Sequence, residues 1–376
     1  MLLTKIRSMF NMIRAVMRRP EIVRSKVFVM TFDNSYSCNP AAIADELLAT
    51  GKDIDIVWAV TDKTDKSLFP EGVRTVNRGS REMFTEMRSA RIWLDNGLNC
   101  VWYFMPKRKG QIYINTWHGS LGIKRLGGNI SWRMRAKTCR RKTDYMISNS
   151  RFEEEVFAST YWKGVPCLRY GHARNSVLCD EAKFPETATR VRKTLGIYDG
   201  RRILLYAPTF RDSGKDFPKP EWDKVTAALK ERFGGDWIIT SRLHMKDRDK
   251  SLSSVENVID VSAYPSIADL MIAADVAVTD YSSWIYDYIL TGKPGFVFAP
   301  DKDEYEKSRG LYYPLSDTPF DISVDTDGLC SGIRGFDAQD YNNRVRAFLE
   351  DKECCDDAGA AKRAAQFIMD KCSDIV

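Results

Sequence analysis

Val278-Thr-Asp-Tyr-Ser-Ser-Trp-Ile-Tyr-Asp287 is an apolar run that passes through hydroxyl residues directly into a mixed apolar and polar stretch. Extended back to Asp275, the run Asp275–Thr279 reads as a strand, and Tyr281–Gly292 as a helix stopped by glycine. Phe296–Ala299 reads as the next, and last, strand of its series. Strand, helix and strand in that order make a βαβ unit, so the sheet is expected to be parallel. The same alternation runs backward from this stretch. Arg202–Ala207 is a strand, Glu221–Phe233 a helix and Trp237–Thr240 a strand. Asn257–Val261 and a helix near Ser266–Ala274 complete the run, and Ala338–Lys371 reads as mostly helical.

An earlier series precedes it. Lys26–Phe32 and Ile54–Val60 read as strands around a helix Pro40–Gly51, with proline at its start and glycine at its end. Arg91–Leu94, Gln111–Asn115 and Tyr145–Ser148 continue as strands, and Arg151–Tyr161 is a helix. Two doubly wound domains with a boundary near residues 180–200 are the simplest account. A ligand is then expected between them, beyond the carboxyl ends of the strands.

The chain has 376 residues, 44% of them hydrophobic and 29% charged, a globular composition of a size that suits two domains. No stretch approaches the about 18 apolar residues of a membrane span, which excludes a polytopic membrane protein. Nine cysteines with no Cys-x-x-Cys pair argue against a secreted disulfide framework and for reduced thiols in the cytosol.

The net charge of +6 is unevenly spread. Residues 1–30 carry seven basic residues against Glu21 alone. Residues 124–142 carry eight, including Lys124, Arg125, Arg133, Arg135, Arg140 and Arg141, and no acidic one. Two basic patches on a neutral body point to a polyanion. In Met1–Arg19 basic residues interrupt the apolar ones, unlike a signal peptide. An amphipathic helix on an anionic membrane fits, and a solvated surface helix is the alternative. No nucleic-acid motif accompanies either patch.

Three histidines, His118, His172 and His244, lie just after strands or in turns entering helices. None has metal-ligand neighbours at zinc spacing. His118 sits at a strand tip, with Gly119 and Gly122 allowing close backbone approach, and can act as a general base. Ser282 and Ser283 fall in the first helical turn, where free N–H groups and two hydroxyls suit a phosphate; an ordinary serine cap is the bland alternative. Arg242 and His244 alternate on an extended segment and point one way, which suits a diphosphate. Arg309-Gly310 offers a further bidentate phosphate contact. Neither GxxxxGK[ST] nor GxGxxG occurs after the first strand, which lowers the ATPase and dehydrogenase readings.

Thr116-Trp-His-Gly119, Tyr206-Ala-Pro-Thr-Phe-Arg211, Arg242-Leu-His244, Thr279-Asp-Tyr-Ser-Ser283 and Arg309-Gly-Leu-Tyr-Tyr313 occur in this order. The ordered set resembles the CDP-glycerol glycerophosphotransferases, the wall teichoic acid primases and polymerases with their capsule-building relatives. The resemblance covers roughly residues 26–330. It implies a GT-B fold with two Rossmann-like domains facing across a cleft. A basic amphipathic segment would span 1–25, an acceptor and membrane-facing domain 26–185, and a CDP-polyol-binding domain 186–376.

It further implies transfer of a polyol phosphate, glycerol phosphate foremost, from a CDP-polyol to a polyprenyl-diphosphate-linked acceptor, with release of CMP. The enzyme would sit peripherally on the cytoplasmic face of the cell membrane. His118 matches the family's base and His244 its second catalytic histidine. Gly119, Arg211, Arg242, Thr279, Asp280, Tyr281, Ser282, Ser283, Arg309 and Gly310 fall in its substrate-binding motifs. No cofactor is required, and Mg2+ assistance is left open. A CDP-ribitol donor and a nucleotide-sugar glycosyltransferase are the rival readings.

Three departures touch the acceptor and polyol surroundings. Ser120-Leu121-Gly122 stands where many members have Thr-Pro. Met245 replaces a proline after Arg-Leu-His, and Ala173-Arg174-Asn175-Ser176 replaces Pro-Arg-Asn-Asp. The lack of a long N-terminal extension suggests a single transfer or a minimal polymerase.

Overall fold

The computed structural model describes residues 2–99, 105–122, 124–126, 130–209, 218–243 and 257–374. The chain forms two compact units. The first comprises Met1–His118, Leu126–Ser176 and Cys355–Val376, and the second Gly119–Arg125 and Val177–Cys354.

In the first unit the elements run α1 (Leu2–Arg18), β1 (Val23–Met30), α2 (Cys38–Ala49), β2 (Asp55–Val60), β3 (Val73–Asn77), α3 (Arg81–Ser89) and β4 (Ala90–Asp95). They continue as β5 (Ile112–Asn115), α4 (Ile130–Lys142), β6 (Tyr145–Ser148), α5 (Arg151–Ser159) and β7 (Cys167–Arg169). The second unit holds α6 (Phe184–Leu195), β8 (Arg202–Tyr206), α7 (Trp222–Phe233), β9 (Trp237–Ser241), β10 (Val258–Asp260), α8 (Ile267–Ala273) and β11 (Val276–Thr279). It continues through α9 (Trp284–Tyr288), β12 (Gly295–Phe298), α10 (Lys302–Arg309), β13 (Asp321–Ser323), α11 (Thr326–Arg334) and α12 (Ala338–Asp351). Then α13 (Ala360–Ser373) returns to the first unit.

Both sheets are parallel and repeat one topology. The first has the order β3-β2-β1-β4-β5-β6-β7 and the second β10-β9-β8-β11-β12-β13. In each, the chain starts in the middle, works to one edge and crosses back to the other. That is the Rossmann winding, and its switch points lie between β1 and β4 and between β8 and β11. The first sheet is covered on both faces, and its strands alternate between two cores. Phe28, Met30, Val57 and Trp93 pack with Ala15 of α1, Met83 of α3 and Cys139 of α4. Val27, Val29, Ile56 and Trp58 pack with Ile43 and Leu47 of α2 and Ala364 and Ile368 of α13. Burial on both faces explains why these strands read as unbroken apolar runs.

The expected series is present, with additions and corrections. Three strands escape the sequence pattern, β3, β7 and β13, so Phe296–Ala299 is not the last strand. The helical stretch Ala338–Lys371 is two helices in different units. The boundary expected at 185/186 falls at 176/177, and the chain crosses back at 354/355. The tandem serines are not inside a helical turn. Ser283 is the N-cap, in αR conformation with no side-chain capping bond, and α9 begins at Trp284. Among the described residues no helix is long and apolar enough to cross a membrane.

Candidate functional site

The first unit builds a site around His118, just past β5 and beside the switch point. The tips of β1 and β4 meet there: the amide of Phe32 donates to Asn96 Oδ1 at 2.9 Å. The carbonyl of Asn96 lies 2.5 Å from His118 Nδ1. A carbonyl only accepts, so Nδ1 carries the proton and the Nε2 lone pair is left as the basic position. The imidazole stacks on Phe32 with centroids 4.4 Å apart and lies 4.3 Å from the Trp117 ring. Burial pushes its pKa down to about 4; the Asn96 bond raises it somewhat, and Arg174 lowers it further.

The backbone beneath is strained and held. Trp117 has φ +53°, a left-handed conformation costly for a bulky residue. Such strain persists only where the surroundings fix it. Here the Trp117 amide donates to Asn115 Oδ1 at 2.8 Å, and Asn39 Nδ2 donates to the Thr116 and Trp117 carbonyls at 3.1 and 3.3 Å. Arg174 donates to the His118 carbonyl at 3.0 Å. Asn96, Phe32 and Asn39 were not singled out from sequence, and Arg174 was read only within a motif that departs from the family. The signal was present for Asn96, a polar residue directly after an apolar strand at the expected crevice.

His172 belongs elsewhere. It is fully buried and pairs with Glu153 at 2.9 Å. Its amide donates to Asp356, which also accepts from Asn149 and Asn175. This network ties the returning C-terminal segment to the first unit, so His172 serves architecture.

The second unit gathers the predicted donor residues at the ends of β8 and β11. Thr279 is buried and its hydroxyl donates to the Ala207 carbonyl at 2.7 Å, as does the Trp284 indole. Asp280 Oδ1 accepts the Thr209 amide at 2.8 Å and the Tyr281 amide at 2.6 Å. The Tyr281 ring stacks on Tyr305 with centroids 3.7 Å apart, and its hydroxyl donates to Asp301. The side chains of Thr279, Asp280 and Tyr281 thus shape the turn, and the partly exposed Ser282 and Ser283 are presented at its end. Gly310 follows α10 with φ +69°. Arg242 lies in the same unit. Its amide donates to the Tyr206 carbonyl at 2.8 Å and its guanidinium to the Tyr264 carbonyl at 2.5 Å. Arg211 and His244 lie outside the described residues, as does the side chain of Arg309. Gly119 opens the segment Gly119–Arg125, which belongs to this unit.

The basic residues divide. Arg133, Arg140 and Arg141 are exposed on α4 and Arg135 is partly buried there, with Met134 77% exposed beside them. Lys124 and Arg125 are instead engaged by the second unit: Lys124 donates to Thr209 Oγ1 and Arg125 to the Leu311 carbonyl. Helix α1 has two apolar faces. Met12, Ala15 and Val16 pack on the first core, and Asn11 donates to the Gly79 carbonyl. Ile6, Met9, Phe10, Ile13 and Met17 form an exposed stripe on the opposite side.

The family profile described as CDP-glycerol:poly(glycerophosphate) glycerophosphotransferase matches residues 11–370. A teichoic acid poly(glycerol phosphate) polymerase of Staphylococcus epidermidis is 31% identical over 92% of this chain and 50% of its own length. One of Bacillus subtilis is 27% identical over 86% of this chain and 45% of its own length. The chain therefore spans about half the length of these two relatives. The structure of the wall teichoic acid polymerase TagF, as a His-to-Asn variant soaked with CDPG, superposes with a TM-score of 0.81. It is 26% identical, over 99% of this chain and 98% of that one.

Proposed function

Because this chain belongs to the CDP-glycerol:poly(glycerophosphate) glycerophosphotransferase family, we propose that it transfers glycerol phosphate from CDP-glycerol to a hydroxyl of a membrane lipid-linked acceptor, releasing CMP. The acceptor oxygen attacks the phosphorus that bears glycerol, and the bond from that phosphorus to the CMP oxygen breaks. The hydroxyl proton passes to Nε2 of His118. The observation that carries this reading is the His118 imidazole: neutral, with Nδ1 bonded to the Asn96 carbonyl and Nε2 left as acceptor. A positioned base of this kind contributes about 10²–10⁴-fold.

Charge gathers on the transferred and leaving phosphates as the bond breaks. Ser282, Ser283, Arg242, His244, Arg309 and Arg211 are the groups assigned to it, with Gly119 and Gly310 allowing close approach. Fixed donors aimed at developing charge contribute the largest share of catalysis in such reactions. In this reading the protein's own cations suffice and Mg2+ is an aid. Substantial turnover retained in excess EDTA supports that, and abolition by EDTA reverses it.

We assign α1 and the exposed arginines of α4 to an anionic membrane surface at its cytoplasmic face, which brings the enzyme to its lipid-linked acceptor. An apolar stripe on a basic helix inserts at the headgroup boundary, and each nearby Lys or Arg adds about 1 kcal/mol. The test of function is CMP release with a lipid-linked acceptor, using CDP-glycerol and CDP-ribitol separately. Faster release from CDP-glycerol supports the assignment. Preference for CDP-ribitol would make the chain a ribitolphosphotransferase. Transfer of sugar with release of a nucleoside diphosphate would make it a glycosyltransferase.

A further inference from the structure

We propose that Lys124 is a donor-binding residue, its ammonium contacting a phosphate oxygen of the CDP-polyol; this rests on the function proposed above. Gly119–Arg125 follows His118 in sequence yet belongs to the second unit. Tyr313 donates its hydroxyl to the Leu121 carbonyl. The Arg125 amide donates to the Gly310 carbonyl at 3.1 Å, and Arg125 Nε to the Leu311 carbonyl at 2.8 Å. Lys124 itself pairs with Leu311 in an isolated antiparallel bridge. Gly122 also packs close on the serine turn, because a Cβ there would come within 2.8 Å of Ser283 Cβ. Only glycine allows that approach without displacing Ser283.

With its backbone fixed on both sides, Lys124 reaches across the strand ends. Its Nζ donates to Thr209 Oγ1 at 3.1 Å. Thr209 follows β8, and its amide is bonded to Asp280 of the β11 turn at 2.8 Å. An ammonium and the Thr209 hydroxyl thus stand at the switch point of a parallel sheet, on the turn that presents Ser282 and Ser283. That is where a Rossmann unit takes its ligand. Asp280 is buried, and one of its oxygens already accepts two backbone N–H groups. A compact ammonium with three donors suits a phosphate oxygen there. The same geometry opposes a membrane role, because the side chain is partly buried against the second unit.

The test is calorimetry on wild type, Lys124→Met, Lys124→Gln and Lys124→Arg with CDP-glycerol, and with cytidine by competition. Losing one charge-assisted phosphate contact corresponds to an affinity loss of about ten- to a hundredfold. We expect that loss for CDP-glycerol in the Met and Gln variants, unchanged cytidine affinity, and most binding retained by Arg. Binding to anionic liposomes stays at the wild-type level. Unchanged CDP-glycerol affinity in a folded Met or Gln variant overturns the inference and leaves the proposed function standing. Equal losses for cytidine and CDP-glycerol also overturn it, because Lys124 would then only hold the segment in place. A wild-type chain that binds no CDP-glycerol overturns the function and this inference together.

Discussion

His118 stays neutral because it is largely shielded against Phe32 and Trp117, while the Asn96 carbonyl that its ring bonds is uncharged. Burial penalises the imidazolium, so the folded pKa falls from the ordinary value of 6.5 to about 4. The sign has two consequences. Between these two values the unfolded chain takes up a proton that the folded chain refuses, so this group erodes stability as pH falls through the window. The base itself stays available throughout it. The acid limb of kcat/KM is therefore expected near pH 4, and activity at pH 5.5 should stay close to its value at pH 7. A pH–rate profile checks this, and an acid limb near 6.5 would mean the imidazole is solvated in the working enzyme. At this scale the sequence was partly legible. A histidine between a strand and two glycines announces itself. The Asn96 carbonyl that fixes its tautomer does not, because a backbone group has no letter and its partner is 22 residues away.

At the scale of elements, α1 shows why composition alone leaves two readings. Its basic and apolar residues fit both a packed helix and a membrane helix, and the fold uses both. Met12, Ala15 and Val16 face the core, and Ile6, Met9, Phe10, Ile13 and Met17 face outward. The outward face can therefore be changed without touching the core. Met9→Glu with Met17→Glu should leave the melting temperature within a few degrees and weaken cosedimentation with anionic liposomes several-fold; salt should weaken the wild type likewise. Retained liposome binding would clear α1 of that role. The buried network around His172 predicts the opposite kind of change. Asp356 accepts from the His172 amide, Asn149 and Asn175, so Asp356→Ala leaves buried donors unmatched. A loss of about 1–3 kcal/mol is expected by denaturant unfolding, as for buried donors left without their acceptor. A loss under 1 kcal/mol would mean that water replaces the carboxylate.

Across the whole molecule, the two parallel sheets were legible because doubly covered strands such as Val27–Met30 and Val276–Thr279 are apolar along their length. The strands that escaped are short or mixed. β7 and β13 have three residues each, and β3, Val-Arg-Thr-Val-Asn, is an edge strand with one buried position. The return of α13 to the first unit could not be read, because Ala361, Ala364 and Ile368 match a surface more than 300 residues earlier. The serine turn was located correctly and its conformation was not. Ser283 is the N-cap residue but makes no side-chain capping bond, and Trp284 after it donates to the Ala207 carbonyl. Lys124 stands in a basic run, and its bond to Thr209 beside the end of β8 could not be read from that run.

The proposed glycerol phosphate transfer depends on His118 as its base. The direct measurement is single-turnover formation of CMP and extended acceptor from CDP-glycerol by wild type and His118→Ala. It is paired with CDP-glycerol binding to both proteins. The account predicts that wild type forms CMP and extended acceptor together. His118→Ala should lose at least a hundredfold in rate, while its donor affinity stays within a few-fold, since the base acts on the acceptor. More than a tenth of the wild-type rate remaining in His118→Ala, or a wild-type chain that forms no CMP from CDP-glycerol, would contradict it.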